Sequence, residues 1–414
     1  MAAKKKKEPQ LELDPTDDIA KALIKDLNKE FGTRIAYNLA EASAPTIVKH
    51  WIGTGSLMLN YAIANKRGGG YPGGRIIEVS GLASTGKSHL AYEAARTVQR
   101  LGGLVIYVDT ENATPVDKLG SMGIDVKKRF VYVDTHCTEE VLTVIDSIIR
   151  KAKSVSGNIP ILAIWDSVAA TAPKAELEGE YDQNTVGLQA RTLSKGMRKI
   201  VGVLGEHGVT LLCINQLRTK IGVNFGDPYV TPGGAAIPFH SSVRVRLTGE
   251  GSPVKDKFGN VIGIRVPLKI MKNKVGPPFR NFSIEIHFGK GIVETDALID
   301  VGIEYCVKHG SVRRDGKLLS MTGKGKPWKT FMVTTEDGEV LLEKKFQKDS
   351  FDSLLYNEPG VSDLMLEFYD GVLTVVYGDA DVAEEDLNPE TDEEDMGEEE
   401  NVKATKEVED AAEL

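Results

Sequence analysis

The chain has 414 residues, 41% hydrophobic and 27% charged, the balance of a globular protein with room for more than one domain. No apolar run approaches the ~18 residues of a membrane-spanning helix, and the three cysteines (Cys137, Cys213, Cys306) stand too far apart for metal spacing, which fits a reducing compartment. The net charge of −9 is uneven: residues 379–414 hold 17 acidic residues and two lysines, so a body of net +6 carries a tail of net −15, which suggests a polyanionic partner or, more blandly, a solubilising tail.

In chain order, the start MAAKKKKEPQLELD lacks an apolar stretch and reads as a solvated basic segment rather than a secretory signal; for KKKK, a nucleic-acid patch or a nuclear address are the alternatives. Residues 16–30 begin with Thr/Asp and place apolar residues at 19, 23 and 27, an amphipathic helix set apart from the later segments. NKRGGGYPGG (65–74) is a Gly-rich turn, and RIIEVS (75–80) a short buried strand. The strand runs into G-x-x-x-x-G-K-[ST], spelled here by Gly81, Leu82, Ala83, Ser84, Thr85, Gly86, Lys87 and Ser88. Glycines let backbone N–H groups curl around an anion, a lysine can reach the β- and γ-phosphates, and a serine hydroxyl can ligate Mg²⁺. Leu90, Ala94, Val98 and Leu101 then recur at helical steps, so a helix N-terminus adds its dipole to the loop.

LVIYVD (104–109), FVYVD (130–134), ILAIWD (161–166) and VTLLCI (209–214) read as continuous buried strands, the later ones separated by helices at 138–153 and 188–207. That alternation predicts an α/β fold: a P-loop NTPase core on a mostly parallel twisted sheet with crossover helices. VRVRLT, IRVPLKIM and FSIEIHF after residue 240 extend the sheet as hairpins, and a smaller α+β unit opens near 295 with the helix TDALIDVGIEYCVKHG. The expected divisions are 1–50 (basic start and helix), 51–292 (ATPase core), 293–378 (α+β domain) and 379–414 (acidic tail, read as disordered).

Chemistry in open α/β sheets gathers at the carboxyl ends of the strands. Asp166 ends its strand where a carboxylate supports the water shell of Mg²⁺. Glu111, just past Asp109, is either the group that orients or deprotonates an attacking water or a plain surface carboxylate. Gln216 is either a sensor of the γ-phosphate or an ordinary strand-end amide.

Four stretches together resemble the RecA-family recombinases across residues 50–292: GRIIEVSGLASTGKS, IWDSVAATAPKAELEGEYDQNTVGLQARTLSKGMRKI, INQLRTKIGVNFGDPYVTPGGAAIPFHSSVRVRL and MKNKVGPPF. The resemblance implies a RecA-like core that binds ATP and Mg²⁺ and hydrolyses ATP when bound to DNA. Lys87 and Ser88 would hold phosphate and Mg²⁺, Asp166 would support the metal, Glu111 would act on the water and Gln216 would sense the nucleotide. Residues 178–186 and 217–232 would be the DNA-facing loops. Arg191, Arg198, Arg218 and Lys220 would meet phosphates, Gly233 and Gly234 would offer backbone N–H groups, and Ile221, Val223 and Phe225 would wedge between bases. Read without the resemblance, Phe225 is a loop residue folded onto the core. Lys272 and Lys274 would reach a neighbouring subunit's ATP in trans; by spacing alone they are a solvated strand-end pair.

The implied activity is DNA recombination and repair: subunits polymerise as a homo-oligomeric helical filament on single-stranded DNA and pair it with homologous double-stranded DNA. The implied setting is the cytoplasm, with no membrane partner. A hexameric replicative helicase on the same sheet is the runner-up, and a regulatory ATPase with no nucleic-acid role is the third candidate. The divergent termini resemble a bacteriophage-type member more than a cellular one. Departures from the family pattern are Val186 in place of methionine, Pro232 in place of threonine, and Pro238 in place of a basic residue. Pro238 removes a charge and a backbone donor near a subunit contact, which leaves the strength of subunit coupling open.

Overall fold

The computed structural model describes residues 15–378 except 42–43, 45, 113, 156–158, 181–184, 186 and 220–225. After α1 (Pro15–Glu30), the ribbon of β1 (Trp51–Ile52) and β2 (Tyr71–Pro72) brackets α2 (Leu57–Ala64). The predicted alternation comes next: β3 (Ile76–Gly81), α3 (Lys87–Arg100), β4 (Leu104–Asp109), α4 (Val116–Ser121), β5 (Phe130–Asp134), α5 (Thr138–Val155), β6 (Ile161–Asp166), α6 (Lys174–Leu177), α7 (Leu188–His207) and β7 (Val209–Gln216). The short strands β8 (Arg218–Thr219) and β9 (Tyr229–Val230) pair antiparallel, and α8 (Ala236–His240) leads into β10 (Val243–Leu247). Then come β11 (Ser252–Lys255), β12 (Val261–Asn273), β13 (Asn281–His287) and β14 (Gly291–Val293).

In space the main sheet runs β14-β13-β12-β10-β3-β7-β6-β4-β5, with β11 pairing β12. The six strands from β10 to β5 are parallel, and those beyond β10 are antiparallel hairpin strands. This is the expected mostly parallel α/β sheet, extended by hairpins. β3 lies between β7 and β10, although β4 follows it in sequence, so the chain crosses two strands after the glycine-rich loop. Such a switch point opens a crevice at the carboxyl ends of the strands.

Strand alternation sorts the side chains onto two faces. Ile77, Val79, Val105, Tyr107, Leu162, Ile164, Leu212 and Ile214 share one apolar cluster with Leu90, Ala94 and Val98 of α3. The intervening Ile106, Val108, Ala163, Trp165, Leu211 and Cys213 pack with Val141, Ile145, Leu193 and Met197 of α5 and α7. The same parity carries Asp109, Asp166 and Gln216 to the α3 face and Glu78, Asn215 and Arg244 to the α7 face. Trp165, next to Asp166 in β6 but on the opposite face, is fully buried, and truncating such a side chain to alanine costs ~3–5 kcal/mol. α7 stops at Gly208, whose φ of +68° takes the left-handed conformation that closes a helix.

One expectation fails. FVYVD does form β5, but not as a buried strand. It is the sheet edge, with Val131 and Tyr132 about half exposed. An apolar run of four residues cannot by itself distinguish a central strand from an edge.

The C-terminal part begins with α9 (Thr295–His309) and the antiparallel sheet β15 (Val312–Arg314), β16 (Lys317–Thr322), β17 (Lys329–Thr335) and β18 (Val340–Phe346). It ends with α10 (Phe351–Tyr356) and α11 (Val361–Val376). Its core residues Phe331, Phe346, Phe368 and Tyr369 continue the cluster under α3. Buried Glu294 joins the two parts: its carboxylate accepts from Leu57 N at 2.6 Å and from Ser56 Oγ at the start of α2, just before α9 begins. Burial pushes its pKa up to about 7, against the pull of those hydrogen bonds.

Candidate nucleotide site and nucleic-acid interface

The loop from Gly81 to Ser88 links the end of β3 to the start of α3 at the switch point. Gly86 has a φ of +93°, a backbone conformation that strains any residue with a side chain, and a Cβ there would also press on Ile286 Cδ1 at 2.3 Å, so the position favours glycine. Ser84 also takes a positive φ, of 58°. Lys87 Nζ donates to Leu82 O at 2.6 Å and Thr85 Oγ1 to the same oxygen at 2.9 Å, so the lysine lies folded across its own loop. Burial pulls the Lys87 pKa down, while Asp166 and Glu111 push it back up. A cavity of about 510 Å³, lined by Ser84, Lys87, Ser88, Lys118 and Phe288 among others, opens beside the loop.

Asp166 faces the loop from β6. Tyr107 donates to its Oδ2 at 2.6 Å. Burial raises the Asp166 pKa, hydrogen bonds from Tyr107 and Ser88 lower it, and the neighbouring Glu111 and Asp109 carboxylates raise it further. A half-buried carboxylate beside a serine hydroxyl suits a divalent cation. Among the described residues no group of three or more His, Cys, Asp or Glu forms a metal cage.

Glu111 and Gln216 meet here as well. Glu111 Oε1 accepts from Ser167 Oγ at 2.7 Å and from Gln216 Nε2 at 3.2 Å. One carboxylate therefore bridges the ends of β4, β6 and β7. The segment carrying Glu111 is held by Asp109, whose Oδ1 accepts from Glu111 N and Oδ2 from Thr114 N, both at 3.0 Å, with Tyr132 OH at 3.1 Å. Burial alone would raise the Asp109 pKa; the donors from Thr114, Glu111 and Tyr132 outweigh it and hold the carboxyl below its usual range. Thr110 adds a second tie, its Oγ1 donating to Ser167 O and accepting from Ser167 N, each at 2.8 Å. The sequence reading missed Asp109, Ser167 and Tyr107. The one available signal was a strand-ending Asp two residues before Glu111, the spacing of an Asx turn.

The remaining candidates spread outwards. Arg191 and Arg198 are exposed on α7, and Arg218 is exposed on β8. Gly233 and Gly234 have φ of +85° and +69° and press on α7: a Cβ would lie 2.5 Å from Leu193 Cδ1 and 2.9 Å from Ala190 Cβ. Lys220, Ile221, Val223 and Phe225 lie outside the described residues, as do Val186, the KKKK start and the acidic tail. Lys272 and Lys274 are not at this site. Lys272 pairs in register with Arg244, and Lys274 N donates to Ser242 O, at the amino end of β10 and away from Gly81. Lys272 Nζ donates to Pro238 O at 2.9 Å and Phe239 O at 2.8 Å.

A family model described as the RecA N-terminal domain matches residues 18–293. Protein RecA of Kineococcus radiotolerans is 40% identical over 303 residues, covering 73% of this chain and 82% of its own. Protein RecA of Mycolicibacterium gilvum is 38% identical over 328 residues (78% and 88%), and that of Bacteroides thetaiotaomicron 38% over 325 residues (78% and 93%). These relatives are bacterial and lend nothing to the bacteriophage likeness of the termini. The match spans the sheet, the glycine-rich loop, the Glu111–Gln216 contact and the lysine strand together, and the chain belongs to the RecA family.

Proposed function

We propose that the chain is an ATP-dependent DNA recombinase that assembles on single-stranded DNA, pairs it with homologous duplex and hydrolyses ATP in response to the DNA. The observation that carries this reading is the contact of Glu111 with Gln216, because it joins the residue facing the attacking water to the strand that feeds the second DNA-facing loop. Backbone N–H groups of Gly81–Ser88 and the Lys87 ammonium hold the phosphates. Ser88, with Asp166 beside it, would hold Mg²⁺, which would supply charge neutralisation for the phosphates. Glu111 orients the water and takes its proton. Loss of the γ-phosphate frees Gln216, and the change passes along β7 to residues 217–232.

Assembly supplies what one chain lacks. Lys272 and Lys274 lie towards the amino end of β10, away from their own loop at its carboxyl end, which suits action on a neighbour's nucleotide. Ile19, Leu23 and Leu27 form a stripe on α1 with exposures of 60, 56 and 39%, the kind of face that a second copy covers. A head-to-tail contact that does not close gives a helical filament. The divisions 1–50, 51–292, 293–378 and 379–414 then serve assembly, catalysis, a C-terminal accessory role and an acidic tail. Kinship with RecA proteins disfavours the replicative helicase. Among the described residues no helix is long and apolar enough to cross a membrane, and a DNA partner points to the cytoplasm. The test is ATP hydrolysis with and without single-stranded DNA. Stimulation in the wild type and its loss in Lys87→Ala support the reading; equal rates with and without DNA overturn it.

A further inference from the structure

We infer that Glu78 is a positioning residue: from the sheet face opposite the nucleotide it fixes Asn215, and so sets both Gln216 and the returning end of the second DNA-facing loop. The inference rests on the DNA-dependent ATPase reading above. Gln216 and Asn215 are neighbours on β7 and point to opposite faces, so whatever orients Asn215 acts on the sensor through one peptide unit.

Glu78 is fully buried in β3. Its Oε2 accepts from Arg244 Nε at 2.5 Å and its Oε1 from Asn215 Nδ2 at 3.2 Å. Asn215 Nδ2 also donates to Pro232 O at 3.3 Å, and Asn215 Oδ1 accepts from Gln216 N at 3.1 Å. The amide thus holds three partners in one orientation, and that orientation requires a pure acceptor at position 78. A second pin lies alongside: Arg246 Nη1 meets Asp227 Oδ2 at 2.5 Å, so the loop is held at 227 and at 232 from the same face. Arg244 also pairs in register with Lys272, which puts the lysine expected to act in trans two contacts from Glu78.

A buried ion pair contributes little net stability compared with well-packed apolar residues. What Glu78 supplies is geometry. Glutamine has the same shape but one oxygen and one NH₂ group. Arg244 and Asn215 both donate towards position 78, so the NH₂ faces a donor whichever way it turns. If Asn215 flips to relieve this, it gives up Gln216 N and Pro232 O together.

The experiment compares DNA-free and single-stranded-DNA-saturated ATP hydrolysis in the wild type, Glu78→Gln and Asn215→Ala, with nucleotide affinity and melting temperature measured alongside. Asn215→Ala leaves the Glu78–Arg244 pair in place, so it decides the matter if Glu78→Gln does not fold. The expected result is that the stimulation ratio falls about tenfold or more, the scale of a hydrogen bond to a charged group, while DNA-free hydrolysis and nucleotide affinity stay near wild type. In Glu78→Gln/Arg244→Gln the residue 78 NH₂ gains an acceptor, and the ratio recovers. A purely structural role would lower the melting temperature and both rates in proportion, leaving the ratio unchanged; that result overturns the inference. A wild type that DNA does not stimulate overturns the functional reading, and this inference with it.

Discussion

Glu111→Gln separates chemistry from architecture. Glu111 uses one oxygen, accepting from Ser167 Oγ at 2.7 Å and Gln216 Nε2 at 3.2 Å. Glutamine can present a carbonyl oxygen at the same point, so both donors keep an acceptor. The segment itself hangs on Asp109 through the backbone of residues 111 and 114, which the substitution does not touch. What disappears is the basic carboxylate. A group that positions or deprotonates the nucleophile typically contributes ~10²–10⁴-fold in rate, or about 2.7–5.5 kcal/mol of barrier. Removing a negative charge beside Lys87 and Asp166 does not weaken binding of an anionic nucleotide, so affinity should hold or rise. The assay is steady-state ATP hydrolysis at saturating single-stranded DNA, paired with titration of a fluorescent ATP analogue. Parallel losses of affinity and turnover, or a rate loss below tenfold, would refute a role for Glu111 on the water.

Lys272→Ala or Lys274→Ala should cut hydrolysis, and mixing either variant with Lys87→Ala subunits should restore part of it, because each chain lends what the other lacks; no recovery at any mixing ratio argues against action in trans. Glu294 predicts a pH dependence of stability. Its folded pKa of about 7 lies above the ordinary 4.5, so its neutral form favours folding, fully below pH 4.5 and less as pH rises through 7, by up to about 3 kcal/mol. Glu294→Gln should therefore melt higher than wild type at pH 8 and lose that advantage at pH 5; parallel melting curves across this range would show that Glu294 is not the group responsible.

Much of the site was legible because its signals are local. The loop is one contiguous pattern between a strand and a helix, and Asp166, Glu111 and Gln216 each sit at or just past a strand end. The predicted helix over 188–207 and the observed Leu188–His207 coincide, since periodicity and the following glycine agree. What stayed hidden depends on pairing. Nothing in RIIEVS says that β3 lies between β7 and β10, so Glu78 could not be placed against Asn215 and Arg244. The exposure of β5 has the same origin, as does the anchoring role of Asp109. Lys272 and Lys274 looked like a solvated strand-end pair by spacing. The structure instead ties Lys272 to the carbonyls of Pro238 and Phe239, the region where the sequence departs from the family pattern.

The most direct test of the central claim is electron microscopy of the purified chain with single-stranded DNA, Mg²⁺ and a non-hydrolysable ATP analogue. A recombinase that joins subunits head-to-tail through the Lys272 strand and the α1 stripe gives long helical filaments that coat the DNA and shorten when the nucleotide is removed. Closed six-membered rings, or particles that ignore the DNA, would contradict it.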